Sequence, residues 1–365
     1  MLNMKKITHS FKITIVCAVL LLPVKYGFAQ EQAIRAGSAG ASELLINPFG
    51  RSSGWGAANV ASVTGLESQY SNVAGLASTE KTELIFTQTS WLQYGNELFN
   101  PNESVSSIST FGFSQKIGES GVMGLGIMSM NFGDIEITTV DMPDGGIGTF
   151  SPRFMNIGAS YAHIFSNSIQ GGATIRMISE QISDVSANGV AFDAGIQYRT
   201  GDQDKLKFGI SFKNWGPRMS FAGDGLSFRG IIPGGSDDDY KMTVEQRGSY
   251  FDLPALFNIG MSYDINLINH RLTGAGTFTS NSFQKDQYRL GGEYSYKEYF
   301  MLRAGFVYEE GLLEFETRTT AVVGPTAGFT VELPMGNGST FGVDYSYRYT
   351  SPFKGCHAIG CRIDL

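Results

Sequence analysis

The sequence predicts an all-β chain: a transmembrane antiparallel β-barrel of about fourteen strands, preceded by a Gly-rich hatch or plug. Three observations carry that expectation. Apolar and polar residues alternate with period two through most of the chain, as in a strand with one apolar and one polar face. The alternating stretches mostly run ten to fourteen residues, closer to the ~9–11 of a tilted membrane strand than to the ~5–6 of a sandwich strand. Short and generally longer connections alternate between them, the pattern of an outer-membrane barrel.

Composition supports this. The 365 residues include 46 Gly, 26 Phe and 16 Tyr, with 17% charged against the ~25% of an average domain. Aromatics on this scale favour strands. Glycine without a period excludes collagen, the apolar content excludes disorder, and three Cys exclude a disulfide-stapled miniprotein. A mean hydropathy of -0.06 looks soluble, but it averages an apolar face with a charged one.

In chain order, residues 1–29 read as a signal peptide: Lys5, Lys6 and Lys12, then the apolar run Ile13 to Val24, then Gly27-Phe28-Ala29. Cleavage after Ala29 removes four Lys and no acid, so the formal charge moves from -7 to -11. An exported, acidic protein is a poor nucleic-acid partner. Residues 30–80 lack the alternation; small, Gly-rich and still apolar, they suit a hatch folded tightly inside a barrel. The barrel, 81–365, has strands expected near 82–93, 104–117, 120–132, 152–165, 167–180, 188–199, 204–215, 253–266, 269–280, 285–297, 299–309, 325–335, 338–350 and 356–365. The connection at 181–187 is expected among the longer ones, and 216–252 is the longest.

With the apolar parity toward lipid, the charged parity faces the lumen: Arg199, Lys205, Lys207, Arg289, Glu293, Arg303, Asp344 and Arg348. Mutual pairing along the wall and a selectivity filter for a small solute both account for them. The 216–252 loop, taken from its leading Trp215, carries Met219, Phe221, Leu226, Phe228, Ile231 and Ile232, apolar residues that either fold over the barrel mouth or meet a partner. Its Asp237-Asp238-Asp239 run lacks the alternate spacing of a Ca²⁺ loop, and no metal or cofactor is expected. No catalytic motif appears, and the chain is not expected to be an enzyme. His163, on the lipid-facing parity near a short turn, reads as an interface histidine. Cys356 and Cys361 on one strand stand ~16 Å apart, so a disulfide requires Cys356 to leave that strand.

The 30–80 segment contains Arg51, Gly54, Trp55, Gly56 and Ala58, and further on Tyr70, Asn72, Ala74, Gly75 and Leu76. In these residues, Trp55 apart, the chain resembles the PorV/PorQ family of Bacteroidetes outer-membrane proteins, itself similar to FadL-type fatty-acid transport barrels. Val73 stands where that family has proline, and Glu67 is the spacer's one acid. The resemblance implies a fourteen-stranded barrel in the outer membrane, in contact with lipid and lipopolysaccharide. It also implies an adaptor of type IX secretion or gliding that binds the translocon or the C-terminal signal domains of its cargo. A FadL-like transporter of a hydrophobic small molecule is the alternative, and a structural barrel subunit without cargo a third.

Overall fold

A computed structural model describes residues 35, 37–92, 106–231, 241–314 and 316–365. The expected signal peptide, Ile232 and the Asp237-Asp238-Asp239 run lie outside the described residues. Fourteen strands form a closed barrel: β1 Thr82–Ser90, β2 Ser107–Ile117, β3 Gly121–Asn131, β4 Arg153–Ile164, β5 Ile169–Ile182, β6 Val185–Thr200, β7 Leu206–Trp215, β8 Leu256–Leu267, β9 His270–Asn281, β10 Gln287–Tyr296, β11 Phe300–Glu309, β12 Gly324–Gly336, β13 Ser339–Arg348 and β14 Cys356–Asp364. Each pairs antiparallel with its sequence neighbours. β1 closes on β14 from Glu83↔Asp364 to Ser90↔His357, which leaves no sheet edge.

Packing is inverted relative to a water-soluble sheet. Leu125, Ile127, Ile175, Ile196, Ile210 and Ile259 point outward and are exposed, while Thr174, Gln197, Ser211, Asn258 and Thr279 point inward and are buried. An apolar outer face satisfies its backbone through the closed ladder and is stable only against lipid, so this is an outer-membrane barrel. Tyr161, Tyr198, Tyr263, Tyr294 and Tyr296 stand on the outer face toward the short-turn ends of their strands. His163 and His270 sit among them, with Nδ1 3.3 Å from the Tyr161 hydroxyl and 2.8 Å from the Tyr294 hydroxyl, respectively.

Three local features depart from the sequence expectation. The connection expected at 181–187 is a tight turn between Ile182 and Val185, because β5 and β6 extend beyond their apolar alternation into a longer hairpin. That extension gives Ser186 a partner in Ala222, so the hairpin supports the 216–252 connection. Two of the longer connections carry their own ladders, Ile135–Glu136 with Thr149–Phe150 and Ser227–Ile231 with Lys241–Glu245. Finally, a bulge in β7 sets Lys213 and Asn214 together opposite Asp193, and Asn214 takes φ 61°. Both side chains turn inward, and every residue beyond changes parity; Trp215 consequently faces outward, 61% exposed.

Cys356 and Cys361 both lie in β14 as free thiols, the first buried inward and the second on the opposite parity. Lys205 stands just before β7 rather than within it.

Candidate functional site

Residues 41–79 hold a succession of tight turns inside this wall: 3₁₀ turns Ser42–Leu45, Leu66–Tyr70 and Val73–Ser78, and a short helix α1, Gly50–Gly54. Short turns leave backbone groups without ladder partners, and the polar inner face of the barrel supplies them. Thr277 donates to Ala58 O at 2.8 Å, Gln197 to Val60 O and Val63 O at 3.2 and 3.0 Å, Lys213 to Tyr70 O at 2.7 Å, and Thr326 to Gly54 O at 3.2 Å. The donors come from β6, β7, β9 and β12, so the segment is held from several sides.

The residues singled out in the segment now have positions. The Asn72 carboxamide oxygen accepts from Ala74 N at 3.2 Å, capping the Val73–Ser78 turn, while its Nδ2 donates to Val60 O and Ile196 O at 3.0 Å each. Tyr70 donates its hydroxyl to Asn156 Oδ1 at 2.9 Å and lies edge-on to Phe49 at 5.4 Å. Gly75 passes so close to the Val63 carbonyl that a Cβ would overlap it. Arg51 Nε stands 3.6 Å from Glu67, whose other oxygen accepts from Ser52 N and Oγ. Burial pushes the Glu67 carboxyl above the usual range, and Arg51 opposes that shift. Trp55 packs against Ala58 and Ala275, and Gly305 of β11 admits its backbone at a distance no side chain would allow.

One side of the segment is apolar. Ile46, Phe49, Leu66, Tyr70 and Leu76 pack on inward-facing Ile85, Ile108, Val122, Met128 and Met130 of β1–β3. The opposite side meets charge. Arg303 pairs with Glu293, which also holds Arg271 at 2.9 Å; Lys207 pairs with Asp264 at 2.6 Å; Arg303 reaches Asp344 through Thr330. Arg199 donates to Ser78 Oγ at 2.9 Å. Among the described residues Arg289 donates only to Gln287, and Arg348 lies over the Trp91 ring at 5.0 Å. Of the expected lumen charges, Lys207, Glu293 and Arg303 are therefore ion-paired and Asp344 is reached through a hydroxyl, while Arg199, Lys205, Arg289 and Arg348 hold no carboxylate among the described residues.

Parity alone did not single out Arg176, Asp264 and Arg271, although each has the inward parity of its strand; Asp193, opposite the apolar face of β6, is inward as its parity requires. Glu43 was also missed, because a lone Glu in an irregular segment has no pattern to betray it. Its carboxyl is buried beside Glu180 and, among the described residues, meets no other side-chain donor; burial, reinforced by Glu180, pushes its pKa to about 8.

Two cavities flank the segment. One of about 330 Å³ lies at the long-loop end, with a mostly apolar lining that includes Ile46, Trp91, Phe132, Phe154 and Val322 together with Arg289 and Arg348. The other, about 160 Å³, is polar and lies among Arg51, Glu67, Lys207, Asp264, Glu293 and Arg303.

The 216–252 residues divide. Met219 follows the first of the two expectations, folding into the barrel mouth rather than awaiting a partner: it is 2% exposed, packed with Leu44, Ile178, Ala187 and Leu253, because strand-like bridging to Phe251 turns it inward. Phe221 packs on the same cluster, and Leu226 is partly buried. Trp215 and Phe228 are exposed. Ile231 ends a ladder strand.

No family model and no curated relative matches the sequence. Solved structures do match. The CymD monoaromatic hydrocarbon channel aligns with TM-score 0.55 at 12% identity, covering 87% of this chain and 97% of that one. The toluene transporter TbuX of Ralstonia pickettii aligns with TM-score 0.52 at 12% identity, with the same coverages. A FadL homologue of Pseudomonas aeruginosa aligns with TM-score 0.51 at 13% identity, covering 86% and 98%. The fold is therefore that of the FadL-like outer-membrane barrel. Identities this low speak to fold alone, and the PorV/PorQ resemblance still rests on its motif residues.

Proposed function

We propose that this chain is an outer-membrane channel for a hydrophobic small molecule, with residues 41–79 as its hatch. The observation that carries this is the apolar-lined cavity directly against the hatch at the long-loop end, continuous with the apolar side of the lumen at Met130. An apolar concavity of this size is the usual form of a small-ligand site. The structural neighbours include a monoaromatic hydrocarbon channel and a toluene transporter, which supports the same class of solute. A solute held there has the hatch between it and the polar cavity beyond, so passage requires the hatch to shift. The test is uptake of a labelled hydrophobic tracer by cells with and without this protein, at matched outer-membrane integrity. Uptake that falls without the protein supports the reading; equal uptake removes it.

The secretion adaptor is the second reading, favoured by one observation: the Ser227–Ile231/Lys241–Glu245 ladder presents Phe228 and Met242 to solvent, 54% and 50% exposed. It predicts that a translocon component or a cargo C-terminal domain co-purifies with the detergent-extracted barrel, and that the F228S variant loses it. Recovery of the barrel alone favours the channel, or a structural barrel subunit.

A further inference from the structure

Within the channel reading, on which this inference rests, two guanidiniums distinguish the large cavity from a simple hydrocarbon pocket. Arg289 projects from β10 and Arg348 from β13 into the same lining. Among the described residues neither forms an ion pair with a carboxylate. Arg289 uses one donor on Gln287 and leaves Nε buried and unmatched; Arg348 leaves Nη2 buried and unmatched. Arg176, Arg271, Arg303 and Arg362 each hold an acid; Arg199 and Lys213 do not, but they are used on the inner segment, at Ser78 Oγ and Tyr70 O, whereas Arg289 and Arg348 face the cavity. Arg348 is buried and Arg289 half-buried; a cation withdrawn from water without a counter-charge is costly, and two facing one cavity reinforce the field that an anion would relieve. Among the described residues the one acid in the lining is Glu43, so two guanidiniums against one carboxyl leave the cavity net positive.

The rest of the lining sets the body of the ligand. Arg348 stacks on Trp91, and Phe132 meets Phe154 edge-to-face at 4.9 Å. Tyr349 completes an aromatic rim. Rings present faces and edges that another ring matches, whereas a flexible chain gains only contact area. We infer that the cavity binds a compact aromatic anion, its ring among Trp91, Phe132 and Phe154 and its carboxylate or sulfonate on Arg289 and Arg348. Planar, forked guanidiniums suit such headgroups.

Calorimetry on the full chain in detergent, with naphthalene-2-carboxylate, its methyl ester, decanoate and inorganic phosphate, tests this. The carboxylate is expected to bind at least tenfold more tightly than the ester or decanoate, and phosphate not to bind. In R289Q and R348Q, each checked for heat-modifiable gel mobility as a sign of a closed barrel, the carboxylate-to-ester affinity ratio should collapse toward one. Equal binding of acid and ester overturns the anion site, as do variants that keep the ratio. Decanoate binding as tightly as the arene overturns the aromatic part. The channel reading fails separately: if the ester binds and crosses vesicles containing the protein, the hydrocarbon channel stands while the anion site falls. If nothing binds and nothing crosses, both fall.

Discussion

Arg176 and Asp193 form a buried ion pair between β5 and β6, Nη2 to Oδ2 at 2.8 Å, and each also holds a further element. Arg176 donates to Gln69 O at 2.9 Å and lies 4.5 Å over the Tyr70 ring. Asp193 accepts from Asn214 N at 2.7 Å, at the bulge of β7. One pair therefore ties the wall to the inner segment and to the irregularity that reverses the parity of Trp215.

Removing one member of this pair should cost far more than an exposed bridge. D193N leaves Arg176 charged and buried, so the barrel should lose about 3 kcal/mol of stability in denaturant titration from lipid vesicles. A loss below about 1 kcal/mol would mean that water or Asn156, which accepts from Arg176 Nη1 at 3.2 Å, already carries the charge.

Gly195 of β6 and Gly305 of β11 face the segment where a Cβ would collide with Asn72 Oδ1 and the Trp55 backbone. G195V and G305V should expel the segment without opening the ladder. Limited proteolysis should then cut within 41–79 while the barrel keeps its heat-modifiable gel mobility. Protection equal to wild type would show that the wall yields instead.

Asn72 caps one turn and bonds two carbonyls, so N72A should loosen the segment by about 1–2 kcal/mol. Hydrogen exchange of Val73–Ser78 should accelerate accordingly. Y70F, which deletes one hydrogen bond and keeps the ring over Arg176, should have the milder effect.

Glu43 makes stability fall as pH rises. Its pKa is near 8 when folded against an ordinary value of 4.5, so between those values the folded state holds a proton that the unfolded state has released. Stability is then unaffected below about pH 4.5, declines by at most about 1.4 kcal/mol per pH unit through the window, and levels off above pH 8. E43Q should flatten that decline in denaturant titrations at pH 5, 6, 7 and 8; an unchanged slope assigns the effect elsewhere.

Cys356 and Cys361 lie on opposite faces of one strand. Mild oxidation should leave the monomer's non-reducing mobility and mass unchanged, since the two sulfurs cannot meet without dismantling β14.

The wall was legible because its rule is local. In β3, Met123, Leu125 and Ile127 alternate with Val122, Gly124 and Gly126, and any strand between lipid and a packed lumen must read this way. The rule failed where a residue answered to a distant partner. Asn214 leaves the alternation because its backbone N–H is met by Asp193 and its side chain by Leu44 O and Pro254 O. Met219 looked like a loop residue and became core, since Phe251 and Leu253 return beside it.

The sequence by itself determined the class of fold, the number of strands and which face meets lipid, because strand periodicity and membrane thickness act on each stretch independently. Only the tertiary structure decided which lumen charges cancel. Lys207 and Asp264 are 57 residues apart yet within 2.6 Å, while Arg289 and Arg348, of the same parity and chemistry, are left facing a cavity. Charge pairing depends on register around a closed wall, and register is set by the whole ring of strands at once.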